Sequence, residues 1–450
     1  MVIEATQATD RVTKAERIVS LDVIRGIAIL FILFMNIQAM ASYETVWDWR
    51  LVSWDFIDRA AVAVQFVFLA GTQRGLLELL FGAGIMIMAR RAMTPDGPVA
   101  IADLHYRRNI LLILFGLFNA LVLFWPGDIL LPYGIAALFL FPFRLLKPSR
   151  QLILGGLFLL LSVSSNVTYY YERSQAQVAA QQAASAAFSG RAVDEETKEL
   201  AKKWDEAVQM SLPLAKSPEK QKKLAEERAI RHGPLPSYAL FLWGEWAEEF
   251  GPISFFPWLA EIAGTMLIGM ALFQLGIIQG RARRRTYWAL LLVGYSVGLS
   301  LRVSGLTEAL AFSPEPQPFW LHYQLDRIAM TLGHLAAIHL ILGSNVGGRL
   351  LAPFQAPGRM PLTTYLSTSF LTLWVLFPGF GLGLHGSFSF SGMMALAATI
   401  IAVEVVATNL WLRTHETGPM EWLWKSLAYG RRQPYRRVSA PAAPVPAPAE

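Results

Sequence analysis

The chain has 450 residues, of which 54% are hydrophobic and only 16% charged, a balance too apolar for a soluble globular protein of this length. Its formal charge of +6 does not point to nucleic acid, because Lys and Arg fall in short clusters between apolar stretches, which is how a membrane protein fixes its orientation. With no cysteine, disulfides, thiolate catalysis and cysteine-held metal or iron–sulfur centres are excluded.

After a mixed-charge leader (1–18), the stretch "RIVSLDVIRGIAILFILFMNI" is long and oily enough to span a bilayer, yet it carries Asp22, Arg25 and Asn36. "QAMAS" offers the small-residue spacing of a signal-peptide cleavage site, but the polar residues and long leader favour an uncleaved first span. Further apolar stretches follow at 60–89, 109–125, 127–146, 151–168, 253–279, 286–304, 325–343, 361–378 and 391–412, making ten candidate spans with the first at 19–41. The second is interrupted by "AGTQRG" and is expected to break, tilt or re-enter near Gly71 and Gly75.

The expected fold is therefore all-α, a polytopic transmembrane helix bundle of about ten spans with an extracytoplasmic helical insertion. Five spans fall in 19–168 and five in 253–412, with the insertion at 169–252 between them. A basic segment (413–437) and a Pro/Ala tail (438–450) follow. In the insertion, "DEETKELAKKWDEAVQM" and "SPEKQKKLAEERAIRHG" read as two exposed helices separated by a Pro break. If the ten spans are right, every basic cluster falls on one side: Arg11, Lys14 and Arg17; Arg90, Arg91, Arg107 and Arg108; Arg144, Lys147 and Arg150; Arg281, Arg283, Arg284 and Arg285; Arg349 and Arg359; and Arg413, Lys425, Arg431, Arg432, Arg436 and Arg437. Both termini are then cytoplasmic and the expected location is a bacterial inner membrane. No internal repeat supports a carrier built from inverted halves.

Ionisable groups inside spans are costly, and those that persist usually face a protein interior. On a helical wheel Asp22 and Asn36 lie about 40° apart and Arg25 and Asn36 about 20°, so all three share one stripe. Arg74 and Glu78 are spaced i,i+4 and should pair, while Gly82 and Gly84 beyond them would admit another backbone or an extended ligand chain. Asp128 in "WPGDILLPYG" is placed either to orient a polar acceptor or to cap the fourth helix. Arg327 and His334 lie about 20° apart on one face, and His334 is a candidate general base. His339 is about 140° away from His334, so the two cannot bind one metal or haem. No metal site and no covalently bound cofactor is expected, and no P-loop, dinucleotide fingerprint, zincin motif or serine elbow occurs in a suitable context.

The blocks "RIVSLDVIRGIAILFILFMNI", "LLELLFGAG", "RRNILLILFGLFNALVLFWPGDILLPYGI", "MPLTTYLSTSF" and "GPMEWLWKSL" resemble the YeiB-like family, which carries domain of unknown function 418. Its opening "LDVIRG" is similar to the start of transmembrane acyltransferases, which include the lysosomal heparan glucosaminide N-acetyltransferases and which move an acyl group from cytosolic acyl-CoA to a sugar hydroxyl or amine. That resemblance implies an acyl-CoA donor and an extracytoplasmic glycan, lipid or small metabolite as acceptor. The stripe Asp22, Arg25, Asn36 would line a donor tunnel, with Arg25 and Arg74 on phosphate and Glu78 and Arg327 beside them. His334 would serve as base and Asp128 as its orienting carboxylate. The glucosaminide enzymes use a histidine shortly after the first helix; here "AMASYETVWDWRLVSWDF" has none, so that residue is not carried over. The alternatives are an exporter of a small amphiphile using the same stripe, and a non-catalytic scaffold. Membrane lipids are expected partners, nucleic acid is not, and homo-oligomerisation is left open.

Overall fold

The computed structural model describes residues 19–43, 48–89 and 99–437. The leader, the tail and the clusters Arg11, Lys14, Arg17 and Arg90, Arg91 lie outside them. Each of the ten apolar stretches is helical, and among the described residues no named strand occurs. Seven helices are long and apolar enough to cross a membrane: α1 (Val19–Ala41), α2 (Phe56–Ala89), α5 (Pro148–Phe188), α9 (Pro252–Gln274), α10 (Arg284–Ala311), α11 (Phe319–Leu342) and α13 (Phe390–Thr414). The remaining three stretches are less suited on their own. In α3 (Val99–Leu121) charged and amide side chains occupy the first half, α4 (Leu130–Leu145) is short, and α12 (Pro361–Phe370) continues as a π-helix over Leu371–Leu376. The insertion is also reshaped: α5 runs unbroken past residue 168 to Phe188. It is followed by α6 (Glu195–Ser211), α7 (Pro218–Arg231) and α8 (Leu235–Glu249), which form a cap. A final amphipathic helix, α14 (Pro419–Tyr429), packs against α3 and α12.

The bundle is apolar on both sides. Leu76, Leu79, Leu80 and Ala83 of α2 share one core with Ile262, Met266 and Met270 of α9. On the outside, Ile153, Leu157 and Leu160 of α5, Leu292 and Val293 of α10, and Val403 and Val406 of α13 are exposed. A continuous apolar exterior of this kind suits hydrocarbon, which satisfies no backbone polar group and leaves helices as the economical fold. Because lipid supplies no hydrophobic drive between helices, close packing must hold them together, and small residues permit it. A Cβ on Gly82 would fall on the Met266 carbonyl, and one on Gly269 on the Leu79 carbonyl. Gly84, expected to serve the same face, has nothing within 4 Å. Gly26 and Gly358 bring the first turns of α1 against the chain at 354–358 in the same backbone-to-backbone manner.

The cap is fastened by a buried charge cluster on the loop after α1. Lys220 donates to Asp48 at 2.6 Å and to the Met210 and Leu212 carbonyls at 2.8 and 2.9 Å. Arg50 donates to the same carboxylate at 2.7 and 2.9 Å and to the Ser211 carbonyl at 3.0 Å. Nearby, His385 is buried against Tyr43 and His232, and neither ring nitrogen has a hydrogen-bond partner. Burial raises the Asp48 pKa, but the hydrogen bonds from Arg50 and Lys220 outweigh it and hold the carboxyl below its ordinary value. For His385, burial together with Arg231 and His232 holds the imidazole well below its ordinary value. Both shifts depress the docked pKa, so docking is full above the free-state values and weakens as pH falls, first below about 6.5 for His385 and then below about 3.9 for Asp48. Protection factors of α6–α8 in hydrogen exchange, taken relative to the intrinsic rate at each pH, should fall in two steps as pH is lowered. His385→Gln should erase the first; an unchanged profile in that variant would assign the step elsewhere.

Candidate functional site in the bundle interior

The interior charge of the bundle gathers where α2 breaks. A π-helix at Gln65–Leu69 ends in Ala70 and Gly71, the latter at φ +69°, before the helix resumes at Thr72. A residue with a Cβ would be strained at that φ and would also collide with Tyr323 and Arg327. The break leaves carbonyls unpaired, and buried carbonyls need donors. Arg302 of α10 supplies three of them, donating to Phe66 at 3.3 Å, Val67 at 3.1 Å and Ala70 at 2.5 Å while pairing with Asp326 at 2.8 Å. His334 donates from Nε2 to the Phe68 carbonyl at 2.7 Å and accepts from the Tyr295 hydroxyl at Nδ1 at 2.8 Å. Thr72 covers Phe68 and Leu69. The expected interruption near Gly71 is present. Gly75, by contrast, is helical and serves to admit Thr331.

One turn further, Arg74 and Glu78 join Arg327 and Glu261. Arg327 is wholly buried and donates to Glu78 at 2.9 Å, to Thr265 at 2.9 Å and to Gln324 at 3.1 Å, with Glu261 at 3.5 Å. Arg74 pairs with Glu261 through a short hydrogen bond and stands 3.5 Å from Glu78; Gln324 donates to the other Glu261 oxygen. Two arginines face two glutamates, so the cluster is neutral as a unit. The spacing-based pairing of Arg74 with Glu78 is present, but Glu261 is the closer partner. Within the cluster the Arg74 charge is compensated by Glu261 and Glu78. Sequence reasoning passed over Glu261, Arg302 and Asp326. All three fall in stretches read as spans, so the rule applied to Asp22 and Arg25 would have found them too.

The other anticipated residues lie apart from this cluster. Asp128 is buried, accepts from Asn119 at 2.8 Å and from the Leu131 backbone N–H at 2.8 Å, and is within reach of Tyr365. It is a helix-capping group, and its partners do not overlap those of His334. Asp22 and Arg25 pair at 3.3 Å, and Arg25 also donates to the Gly358 carbonyl at 3.2 Å. Asn36, farther along α1, is half-buried. Arg25 lies in the field of a second guanidinium, Arg108. That group rests 4.4 Å from the Trp424 ring and bonds the Tyr429 hydroxyl, both from α14. Among the described residues no carboxylate pairs with Arg108. At this same end a 330 Å³ cavity lies between the ends of α2 and α9, lined by Met86, Phe273, Gln274, Gln279 and Arg281. The loop beyond it reaches His339 and Ser20. Among the described residues no group of three or more metal-ligating His, Asp or Glu side chains occurs.

These features define an all-helical membrane bundle with a neutral charge cluster at its centre and, at one end, the Asp22–Arg25 pair and Arg108, which has no carboxylate partner among the described residues. Residues 272–431 match the family model described as "Protein of unknown function (DUF418)". The chain is 28% identical to YxaH of Bacillus subtilis (strain 168), covering 93% of this chain and 96% of that protein. It is 27% identical to YeiB of Escherichia coli (strain K12), with 92% and 96% covered. With a 39.9 kDa protein encoded in the amylase 3′ region of Bacillus acidopullulyticus it shares 24% identity, covering 94% and 97%. The family-model match and the similarity to YxaH and YeiB over nearly the whole chain support a YeiB-like, DUF418 family. No solved structure matches it.

Proposed function

We propose that the chain is an acyltransferase-like protein of the bacterial inner membrane that takes an acyl group from cytosolic acyl-CoA and passes it to an extracytoplasmic acceptor. The observation that carries this reading is Arg108, a guanidinium with no carboxylate partner among the described residues, lying in the field of Arg25, whose own partner is Asp22 at 3.3 Å. Guanidinium is well shaped for phosphate, and an anionic donor would relieve the repulsion between the two. The similarity of "LDVIRG" to transmembrane acyltransferases agrees with this, as does the collection of basic loops at the same end, which is the cytoplasmic end by the positive-inside rule. The central cluster has no charge to spare for a phosphate, so Arg74, Glu78 and Arg327 hold the bundle together in this reading.

In the reaction the acceptor oxygen or nitrogen bonds to the thioester carbonyl carbon and the C–S bond breaks. The acceptor's proton leaves with CoA as its thiol. His334 has both ring nitrogens engaged and Asp128 both oxygens, so this reading gives neither a proton to move. The test uses full-length protein in nanodiscs with acetyl- to palmitoyl-CoA. A thiol reagent then reports released CoA alone, because the chain has no cysteine. Release above protein-free discs is expected. Arg108→Gln should raise KM about tenfold or more, the worth of one charge-assisted hydrogen bond. Neither release nor saturable acyl-CoA binding at any chain length would sink the proposal, and leave a carrier as the better reading.

A further inference from the structure

The 330 Å³ cavity at the basic end of the bundle has no role in the acyl-transfer reading, and the loop that borders it is firmly pinned. After α9 ends at Gln274, Gly276 and Gly280, at φ +76° and +78°, turn the chain twice before α10 begins at Arg284. These turns return the Arg281 backbone N–H to the Gly276 carbonyl at 2.9 Å. The Tyr287 hydroxyl donates to the Ile277 carbonyl at 2.8 Å, and His339 Nε2 donates to the Ile278 carbonyl at 3.1 Å. The backbone of the loop is thus fastened from two neighbouring helices, and what it offers the cavity is side chains.

Those side chains are of two kinds. Met86, Phe273 and Leu275 are apolar, and Leu275 is exposed on the outside of the bundle. Gln274, Gln279 and Arg281 are polar. Both amides spend their nitrogen on the protein: Gln274 Nε2 donates to the Leu146 carbonyl at 3.0 Å and to Gln151 at 2.9 Å, and Gln279 Nε2 to the Phe273 carbonyl at 2.7 Å. Among the described residues nothing donates to either amide oxygen, that of exposed Gln274 or that of buried Gln279. Exposed Arg281 has no carboxylate partner among them either, nor have Arg283, Arg284 and Arg285.

The cavity therefore presents a guanidinium for an anion, two amide oxygens for hydrogen-bond donors, and an apolar wall that continues to the bilayer. Inorganic phosphate would answer the arginine but leave the wall and the amide oxygens unmet. An ammonium headgroup would meet the amides but stand among four uncompensated arginines. A phospholipid with one phosphate charge and hydroxyls beyond it satisfies every part. Its phosphate pairs with Arg281, its hydroxyls donate to Gln274 and Gln279, and its tails lie along Leu275 and the exposed Leu152 and Ile153 that follow Gln151.

We infer that this cavity binds an anionic phospholipid whose headgroup carries hydroxyl groups, of the phosphatidylglycerol type. Full-length protein in detergent is incubated with phosphatidylglycerol, phosphatidylethanolamine or phosphatidylmethanol, and native mass spectrometry reads the lipid retained. Phosphatidylglycerol should be retained best, because phosphatidylethanolamine has no net charge and phosphatidylmethanol has the same charge without a hydroxyl. Arg281→Gln should weaken its retention about tenfold, the worth of one charge-assisted hydrogen bond. Arg281 is exposed, so this change removes no core contact. Arg349→Gln, which alters an exposed arginine away from the cavity lining, should leave retention unchanged. Equal retention of the three lipids, or equal losses in the two variants, would overturn the inference. Displacement of phosphatidylglycerol by an equal concentration of soluble glycerophosphate would also overturn it, by assigning the cavity to a soluble anion. None of these outcomes depends on CoA release, so failure here leaves the acyl-transfer reading standing.

Discussion

Replacing Glu78 by Ala is expected to cost about 3–5 kcal/mol of stability, because removing one partner of a buried ion pair strands the other. Arg327 is the stranded group. It is fully buried, its Nη1 points at Glu78, and the remaining carboxylate, Glu261, already answers Arg74 and Gln324. The cluster would go from two charges of each sign to two positive and one negative, in a setting where water does not screen them. The double variant Glu78→Leu with Arg327→Leu restores the balance, since Arg74 and Glu261 still pair. It should therefore recover most of what the single change loses. Unfolding midpoints of detergent-solubilised protein compare the three. A Glu78→Ala midpoint equal to that of the native chain would show that the cluster does not hold α2, α9 and α11 together.

The second large effect separates two glycines that are neighbours in the sequence. Gly82→Ala should destabilise by about 1–3 kcal/mol, because the new Cβ falls on the Met266 carbonyl, and two packed backbones have no flexible end to yield. Gly84→Ala should be neutral or stabilising by up to about 1 kcal/mol, since its Cβ enters open space and alanine is the better helix former. The same unfolding midpoints decide it. Equal shifts for both variants would show that α2 and α9 separate enough to admit a methyl group, contrary to their close packing.

Much of this was legible in the chain itself. Among the described residues the hydrophobic runs located the seven helices long and apolar enough to cross a membrane, because an apolar stretch of sufficient length has no other stable state in lipid. The two cap helices α6 and α7 followed from their charge pattern and the Pro break between them; in the structure Asp194 and Ser217 cap them, each accepting from the backbone N–H three residues on. The i,i+4 spacing made Arg74 and Glu78 neighbours, and the interruption expected at "AGTQRG" fell at Gly71, where φ is +69°.

Which groups meet across helices was another matter. Helical periodicity fixes the direction in which a side chain leaves its own helix, and nothing more. It could make Arg74 and Glu78 a pair but not reveal that Glu261, far along the chain, is the nearer acid, nor that Arg302 comes from α10 to receive the carbonyls freed by the break in α2. It gave Gly82 and Gly84 the same role, and only the approach of α9 divided them. It offered His334 as a base, but the Nδ1 lone pair accepts from the Tyr295 hydroxyl and the Nε2–H is donated to the Phe68 carbonyl. Local hydropathy and spacing act within one turn or one span and are written in the order of residues. Partnership inside the bundle depends on the rotation and depth of each helix against its neighbours, and those are settled by the packing and charge balance of the whole assembly.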